Sequence, residues 1–204
     1  MIPLIDWNTR YAQSAEEDYD WYVSSSELTP LITQFSGPED EILYCGCGSS
    51  SLAFELHKSG RKFVTSIDSN EIVIRAMARK YSSYSDLQFL CLDATELPRD
   101  LTCAVNTVID KGLLDTLLCE TTLDSAKRYL VDVKRVLKPG GWFFVVSHGL
   151  PDSRVPLLVS CLGLVSPDHV SVGLLAKPSL PKASFDTSAS PSHYFVYTVQ
   201  TPNQ

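Results

Sequence analysis

Residues 41–48 read Glu41-Ile42-Leu43-Tyr44-Cys45-Gly46-Cys47-Gly48, and Ser49-Ser50-Ser51 follow before the apolar positions Leu52, Phe54 and Leu56. A short apolar run, a glycine turn and a helical pattern, in that order, spell strand, loop and helix. The serines offer caps for the helix, and Gly60 stops it. Glycine at 46 and 48 removes the Cβ where a ligand must approach the backbone closely. On its own such a Gly-x-Gly is also common in ordinary turns.

The stretches on either side repeat the theme. Residues 62–67 form the next strand, and Asp68 ends it 20 residues after Gly48. A carboxylate in that place accepts hydrogen bonds from ribose hydroxyls. Asp68-Ser69-Asn70 can also cap the following helix, which carries Val73, Ile74 and Met77, and the two roles are compatible. Residues 87–92 and 104–109 are two further apolar runs. The first ends in Asp93-Ala94, where the acid can accept an adenine amino group, and the second in Asp110-Lys111-Gly112. Four consecutive strands thus bring polar groups to their carboxyl ends, the edge where open α/β sheets take ligands. Ser51 stands where a dinucleotide fingerprint needs its third glycine, and no Gly-Lys-Ser/Thr is present. The pattern calls for a nucleotide-type cofactor held without a phosphate cradle.

Leu123, Ala126, Leu130, Val133 and Leu137 define an amphipathic helix over residues 122–137, which Lys138-Pro139-Gly140-Gly141 halts before a buried strand at 142–147. Alternating strands and helices imply right-handed crossovers and a Rossmann-like, doubly wound, mainly parallel α/β sheet. Beyond Pro151 the pattern weakens. A helix at 153–162, a strand at 170–176, a Pro- and Ser-rich loop at 177–192 and a closing strand at 193–200 complete the reading. The last two strands pair antiparallel at the sheet edge, which makes seven with an antiparallel final strand. Residues 1–25 carry Trp7, Tyr11, Tyr19, Trp21 and Tyr22 among several acids, and Ser26 caps a helix through Phe35. The expected organisation is one domain over 1–204, with an aromatic arm at 1–25, a cofactor-binding core at 26–150 and part of the substrate site at 151–204.

Composition narrows the class. With 44% hydrophobic residues the chain can build a core, and a net charge of −7 argues against a surface that grips nucleic-acid phosphates. Basic partners suit it better. Most of the six cysteines sit in apolar runs, and Cys45-x-Cys47 is spaced too tightly for structural zinc, so no metal is expected. The chain opens with no basic-then-apolar signal, and no apolar run approaches the roughly 20 residues of a membrane span. A cytoplasmic monomer without membrane or nucleic-acid partners is the expectation.

Residues 42–48, Asp68, Asp93-Ala94 and Leu137-Lys138-Pro139-Gly140-Gly141 resemble the successive motifs of class I S-adenosylmethionine-dependent methyltransferases, over about residues 5–150. Tyr44 departs from the pattern, since many members place an acid there to touch the cofactor. Trp7-x-x-Arg10-Tyr11, Tyr19-Asp20-Trp21-Tyr22 and Asp110-Lys111-Gly112-Leu113-Leu114-Asp115 resemble, more narrowly, a branch of protein lysine methyltransferases acting on elongation factor 1-alpha and citrate synthase. That resemblance implies cofactor contacts from Trp7, Tyr11, Trp21, Gly46, Gly48, Asp68, Ser69, Asp93, Ala94 and Lys111, with plain packing of an N-terminal arm as the alternative for the aromatics. It also implies a protein acceptor, with a translation factor as one candidate. A lysine must lose its proton before it can react. Asp110 and Asp115 are the local acids placed to assist, though Asp115 could instead cap a turn at 113–119. His148 and Cys119 read as packing or surface residues. No Asn/Asp-Pro-Pro-aromatic tetrapeptide follows strand four, which disfavours adenine and glutamine amides. Two alternatives stand beside the lysine reading: a small-molecule amine, thiol or phenol methyltransferase, and a catalytically silent cofactor-binding subunit.

Overall fold

The computed structural model describes residues 6–120, 122–177 and 192–202. Seven strands form one sheet in the order β3-β2-β1-β4-β5-β7-β6. Strand β1 (Glu41–Cys45) is buried along all but its first residue, which explains its unbroken apolar run. It pairs in parallel with β2 (Phe63–Asp68) through Ile42↔Val64 and with β4 (Val105–Lys111) through Ile42↔Thr107. The chain reaches β3 (Leu87–Cys91) on one side of β1 and then crosses to β4 on the other. Such a reversal opens a crevice beyond the carboxyl ends of β1 and β4, the usual place for a ligand in open α/β sheets.

Helices cover both faces. Those of α1 (Trp7–Ser14), α2 (Ser25–Ile32), α3 (Leu52–Lys58) and α4 (Glu71–Lys80) bury Leu28, Leu56 and Met77 against Ile42, Tyr44 and Ile109. On the other face α5 (Leu113–Leu117), α6 (Asp124–Val136) and α7 (Pro151–Leu162) bury Leu114, Tyr129, Leu130 and Leu158 against Leu43, Cys45 and Val108. Cys45 and Cys47 therefore belong to opposite cores and cannot share a metal.

Several boundaries move. Helix α2 starts one residue before Ser26, because Ser24 and Glu27 form a reciprocal capping box, and it ends at Ile32, beyond which the chain tightens into i→i+3 turns. Helix α6 ends at Val136, since Leu137 already pairs with Val105 and opens β5 (Leu137–Ser147). The Lys138–Gly141 stretch is thus not a loop before the strand but a bulge within it: β4 advances from Val105 to Thr107 while β5 advances from Leu137 to Trp142. Asp6 accepts from the amides of Asn8 and Thr9 to cap α1, a helix that the polar run at 7–14 did not announce.

The two late strands, β6 (Val170–Ala176) and β7 (His193–Gln200), pair antiparallel as expected. Strand β7 lies between β5 and β6 and is antiparallel to both. Most of the expected loop at 177–192 lies outside the described residues, as do residues 1–5 of the arm. Among the described residues no helix is long and apolar enough to cross a membrane.

Candidate active site

A cavity of about 540 Å³ opens at the carboxyl ends of the parallel strands, within the size range of small-molecule and cofactor sites. Its floor is the turn after β1. Gly46 and Gly48 sit at φ +62° and +52°, in the left-handed region, and a Cβ on Gly48 would stand 2.7 Å from the Tyr11 hydroxyl. Only glycine admits both the turn and the arm above it.

Asp68 closes β2, with Oδ2 accepting from Gly48 N at 3.0 Å and Oδ1 from Asn70 N at 3.0 Å. Burial raises its pKa, and those two amides pull it back. Its remaining lone pairs are available to a diol on the cavity side. Helix capping falls to Asn70, whose side chain accepts from Ile72 N and Val73 N, so Asp68 is spared that task. Asp93 lies two residues beyond β3; Oδ1 accepts from Thr95 N at 2.8 Å, while Oδ2 has no hydrogen-bond partner among the described residues. Ser69 and the buried Ala94 complete this wall. Two carboxylates on adjacent strand ends, facing a glycine turn without the lysine of a phosphate loop, fit an adenosine better than a phosphate.

The arm forms the roof. Trp7 stacks on Tyr11 at 5.7 Å between centroids and meets Trp21 edge-on at 5.9 Å, and all three line the cavity. Asn70 Nδ2 donates to Asn8 Oδ1 at 2.7 Å, tying α1 to the start of α4. Asp20 fastens the next turn: it accepts from Ser25 N at 2.7 Å and from the Ser50 hydroxyl, and it pairs with Lys111. Lys111 therefore lines the cavity, but its charge is not free for the cofactor. Its side chain is 2% exposed, and its ammonium is held by Asp20, with Ser50 Oγ at 3.1 Å. Burial lowers the Lys111 pKa, and Asp20 opposes that. Tyr44 is fully buried beside this network, so no side chain at 44 reaches the cofactor as a carboxylate would.

The two expected catalytic acids need correction. Asp110 is fully buried, is not among the residues lining the cavity, and accepts from Leu113 N and Leu114 N at 2.9 Å each. It caps α5, the role expected as an alternative for Asp115. Burial, reinforced by the charge of Asp115, pushes its pKa up to about 7. Asp115 does reach the cavity wall, but its oxygens are taken. Oδ1 accepts from Ser147 Oγ at 2.5 Å and Arg154 Nη2 at 2.9 Å; Oδ2 accepts from Tyr22 Oη at 2.6 Å and His148 N at 2.9 Å. Burial alone would raise its pKa, yet hydrogen bonds from His148, Ser147 and Tyr22 hold it well below the usual carboxylate range. Surrounded by Tyr22, Ser147, His148 and Arg154, Asp115 positions these groups rather than meeting a substrate amine.

Sequence reasoning gave four participants no individual role: Asp20 and Tyr22 entered only as part of Tyr19-Asp20-Trp21-Tyr22, His148 as a packing or surface residue, and Arg154 only within a stretch, 148–154, expected to border the target pocket. Tyr22, at φ +70°, carries the strain of a non-glycine residue in the left-handed region and is anchored by Asp115. Its position in Tyr19-Asp20-Trp21-Tyr22 was the available signal for both arm residues.

A family model described as a methyltransferase domain matches residues 42–141. The chain belongs to the class I S-adenosylmethionine-dependent methyltransferases. Within that class it is similar to the eEF1A lysine and N-terminal methyltransferase of Xenopus laevis, 34% identical over 145 residues that make up 69% of this chain and 21% of that protein. It is also 30% identical over 161 residues to EEF1A lysine methyltransferase 4 of Mus musculus, covering 73% of this chain and 62% of that one. The chain thus spans only about a fifth of the length of the Xenopus protein. The fold is shared with the N-methyltransferase NodS of Bradyrhizobium japonicum, solved with S-adenosylhomocysteine, at a TM-score of 0.67 and 12% identity over 96% of this chain and 98% of that one.

Proposed function

We propose that residues 1–204 act as one domain that transfers a methyl group to the side-chain amine of a lysine in a protein, of the kind named for its relatives, a translation elongation factor. The observation that carries this reading is the joining of two walls in one cavity: the Asp68–Asp93 rim and the Lys111–Asp115 segment, roofed by Trp7, Tyr11 and Trp21. When bound, S-adenosylmethionine supplies an electrophilic methyl on a sulfonium. Asp68 would hold the ribose hydroxyls and Asp93 the adenine amino group, while the bare Gly46–Gly48 backbone admits the ligand closely. The arm excludes water from the reacting end, and its aromatic faces favour cationic groups. Positioning of the amine against the methyl supplies much of the acceleration. The negative net charge suits a basic protein surface, and six unpaired cysteines suit a cytoplasmic setting. A monomer suffices, since one chain supplies every wall of the cavity.

The test is incubation of the purified chain with labelled S-adenosylmethionine and recombinant elongation factor 1-alpha, followed by mapping of the labelled residue. Label on a lysine, lost in Asp68→Ala, supports the proposal. Label confined to metabolites in a lysate assigns a small-molecule acceptor, and tight cofactor binding with no transfer assigns a silent binding domain.

A further inference from the structure

We propose that His148 is the base that takes the proton from the incoming lysine ammonium, with Asp115 and Tyr22 holding its ring; the assignment rests on the lysine reading above. His148 follows the last residue of β5 and lines the same cavity as Gly46 and Asp68, with its side chain half-exposed at 54%. Its Nδ1 lies 2.9 Å from Asp115 Oδ2 and 3.1 Å from Tyr22 Oη. The Tyr22 hydroxyl spends its hydrogen on Asp115, so both oxygens present acceptors to Nδ1. A neutral imidazole facing two acceptors keeps its hydrogen on Nδ1, which leaves the Nε2 lone pair bare. Among the described residues nothing bonds Nε2. A carboxylate behind one ring nitrogen and an open cavity before the other is how a histidine base is held in its working tautomer.

The charged and titratable neighbours all bear on this ring. Asp115 on α5 favours its protonation; Arg154 on α7 and Lys177 beyond β6 oppose it. Tyr22 of the arm lies 6.2 Å away between centroids and packs on Tyr194 of β7 at 4.7 Å. The balance leaves His148 above its ordinary value, chiefly through the Asp115 hydrogen bond. In the step itself, one ammonium N–H bond breaks, its proton forms an N–H bond at Nε2, and the freed lone pair on the amine becomes the nucleophile. The imidazolium then returns its proton to water through its exposed edge.

Two measurements test this together. Nitrogen-15 NMR of the purified chain, with and without S-adenosylmethionine, reads the tautomer and pKa of His148 directly. The expected result is an Nδ1–H tautomer titrating above 6.5. The pH profile of kcat for lysine methylation is then compared with that of His148→Asn. The variant should bind cofactor with unchanged Kd and lose on the order of 10²-fold in kcat at pH 7, in line with general-base effects. That loss should shrink as pH rises towards the lysine's own pKa, about 10.4. An Nε2–H tautomer, or a variant profile parallel to the wild type, overturns the base. Absence of amine methylation by the wild type at every pH overturns the lysine reading itself, and the base with it.

Discussion

The two ends of the cavity are built differently. At the end proposed for the adenosine, Gly46, Gly48, Asp68 and Asp93 each sit at or just beyond the strand that delivers them, and the two acids take their hydrogen bonds from backbone amides. At the acceptor end, Asp115 gathers Tyr22 from 93 residues earlier and Arg154 from 39 residues later. The first end is a property of strand–turn–helix units; the second exists only once the arm, β5 and α7 have met. Binding and chemistry should therefore separate under mutation.

The largest expected effect is at the first end. Asp68→Ala removes the proposed acceptor for two ribose hydroxyls at roughly 1.5–3 kcal/mol each, so calorimetry should show cofactor affinity falling by about 10²- to 10⁴-fold in a folded protein. A change under threefold would break the comparison. At the second end, Asp115→Ala leaves the part-buried Arg154 guanidinium without its carboxylate, a loss of about 3 kcal/mol at the low end for a broken buried pair. Urea denaturation should register that loss, while cofactor affinity changes only a few-fold.

Asp110 and Asp115 sharpen the contrast through pH. The folded pKa of Asp110 is raised to about 7, so between pH 4 and 7 the folded state holds the extra proton and stability falls as pH rises. The slope approaches about 1.4 kcal/mol per pH unit for one group. Asp115 has the opposite sign, since its lowered pKa gives stability that is present above the ordinary Asp value and lost in acid. Asp110→Asn should flatten the fall between pH 4 and 7, as followed by denaturation midpoints across that range. The smallest effect is that of Tyr22→Phe, which removes one hydrogen bond to a buried carboxylate. Thermal unfolding should show a loss of about 1.5 kcal/mol, with cofactor Kd unchanged.

The same contrast explains what could be read from residues alone. The fold, and the gathering of Gly46, Gly48, Asp68 and Asp93 at one cavity, were legible because apolar runs, glycine turns and terminal acids are neighbours in the chain. The roles of Asp110 and Lys111 were not, although strand alternation held a clue. Val108 faces the core beneath α5 and α6, so Asp110 follows it to that side, while Ile109 and Lys111 face the arm. His148 read as a surface residue because nothing within ten positions marks it; its partners Asp115 and Tyr22 are 33 and 126 residues away. The bulge in β5 was hidden for a related reason, since Pro139-Gly140-Gly141 signals a stop unless the register of β4 is known.

The placement of β7 between β5 and β6 bears on how the molecule comes together during synthesis. A growing chain exposes β6 before β7, yet β6 has no neighbour in the sheet except β7, and β5 keeps an open edge until residues 193–200 arrive. Tyr197 then donates to Gly149 O at 2.6 Å and fastens the turn just after His148. Because translation delivers the amino-terminal part first, a ribosome-held chain can own its adenosine rim while its acceptor wall is still unfinished.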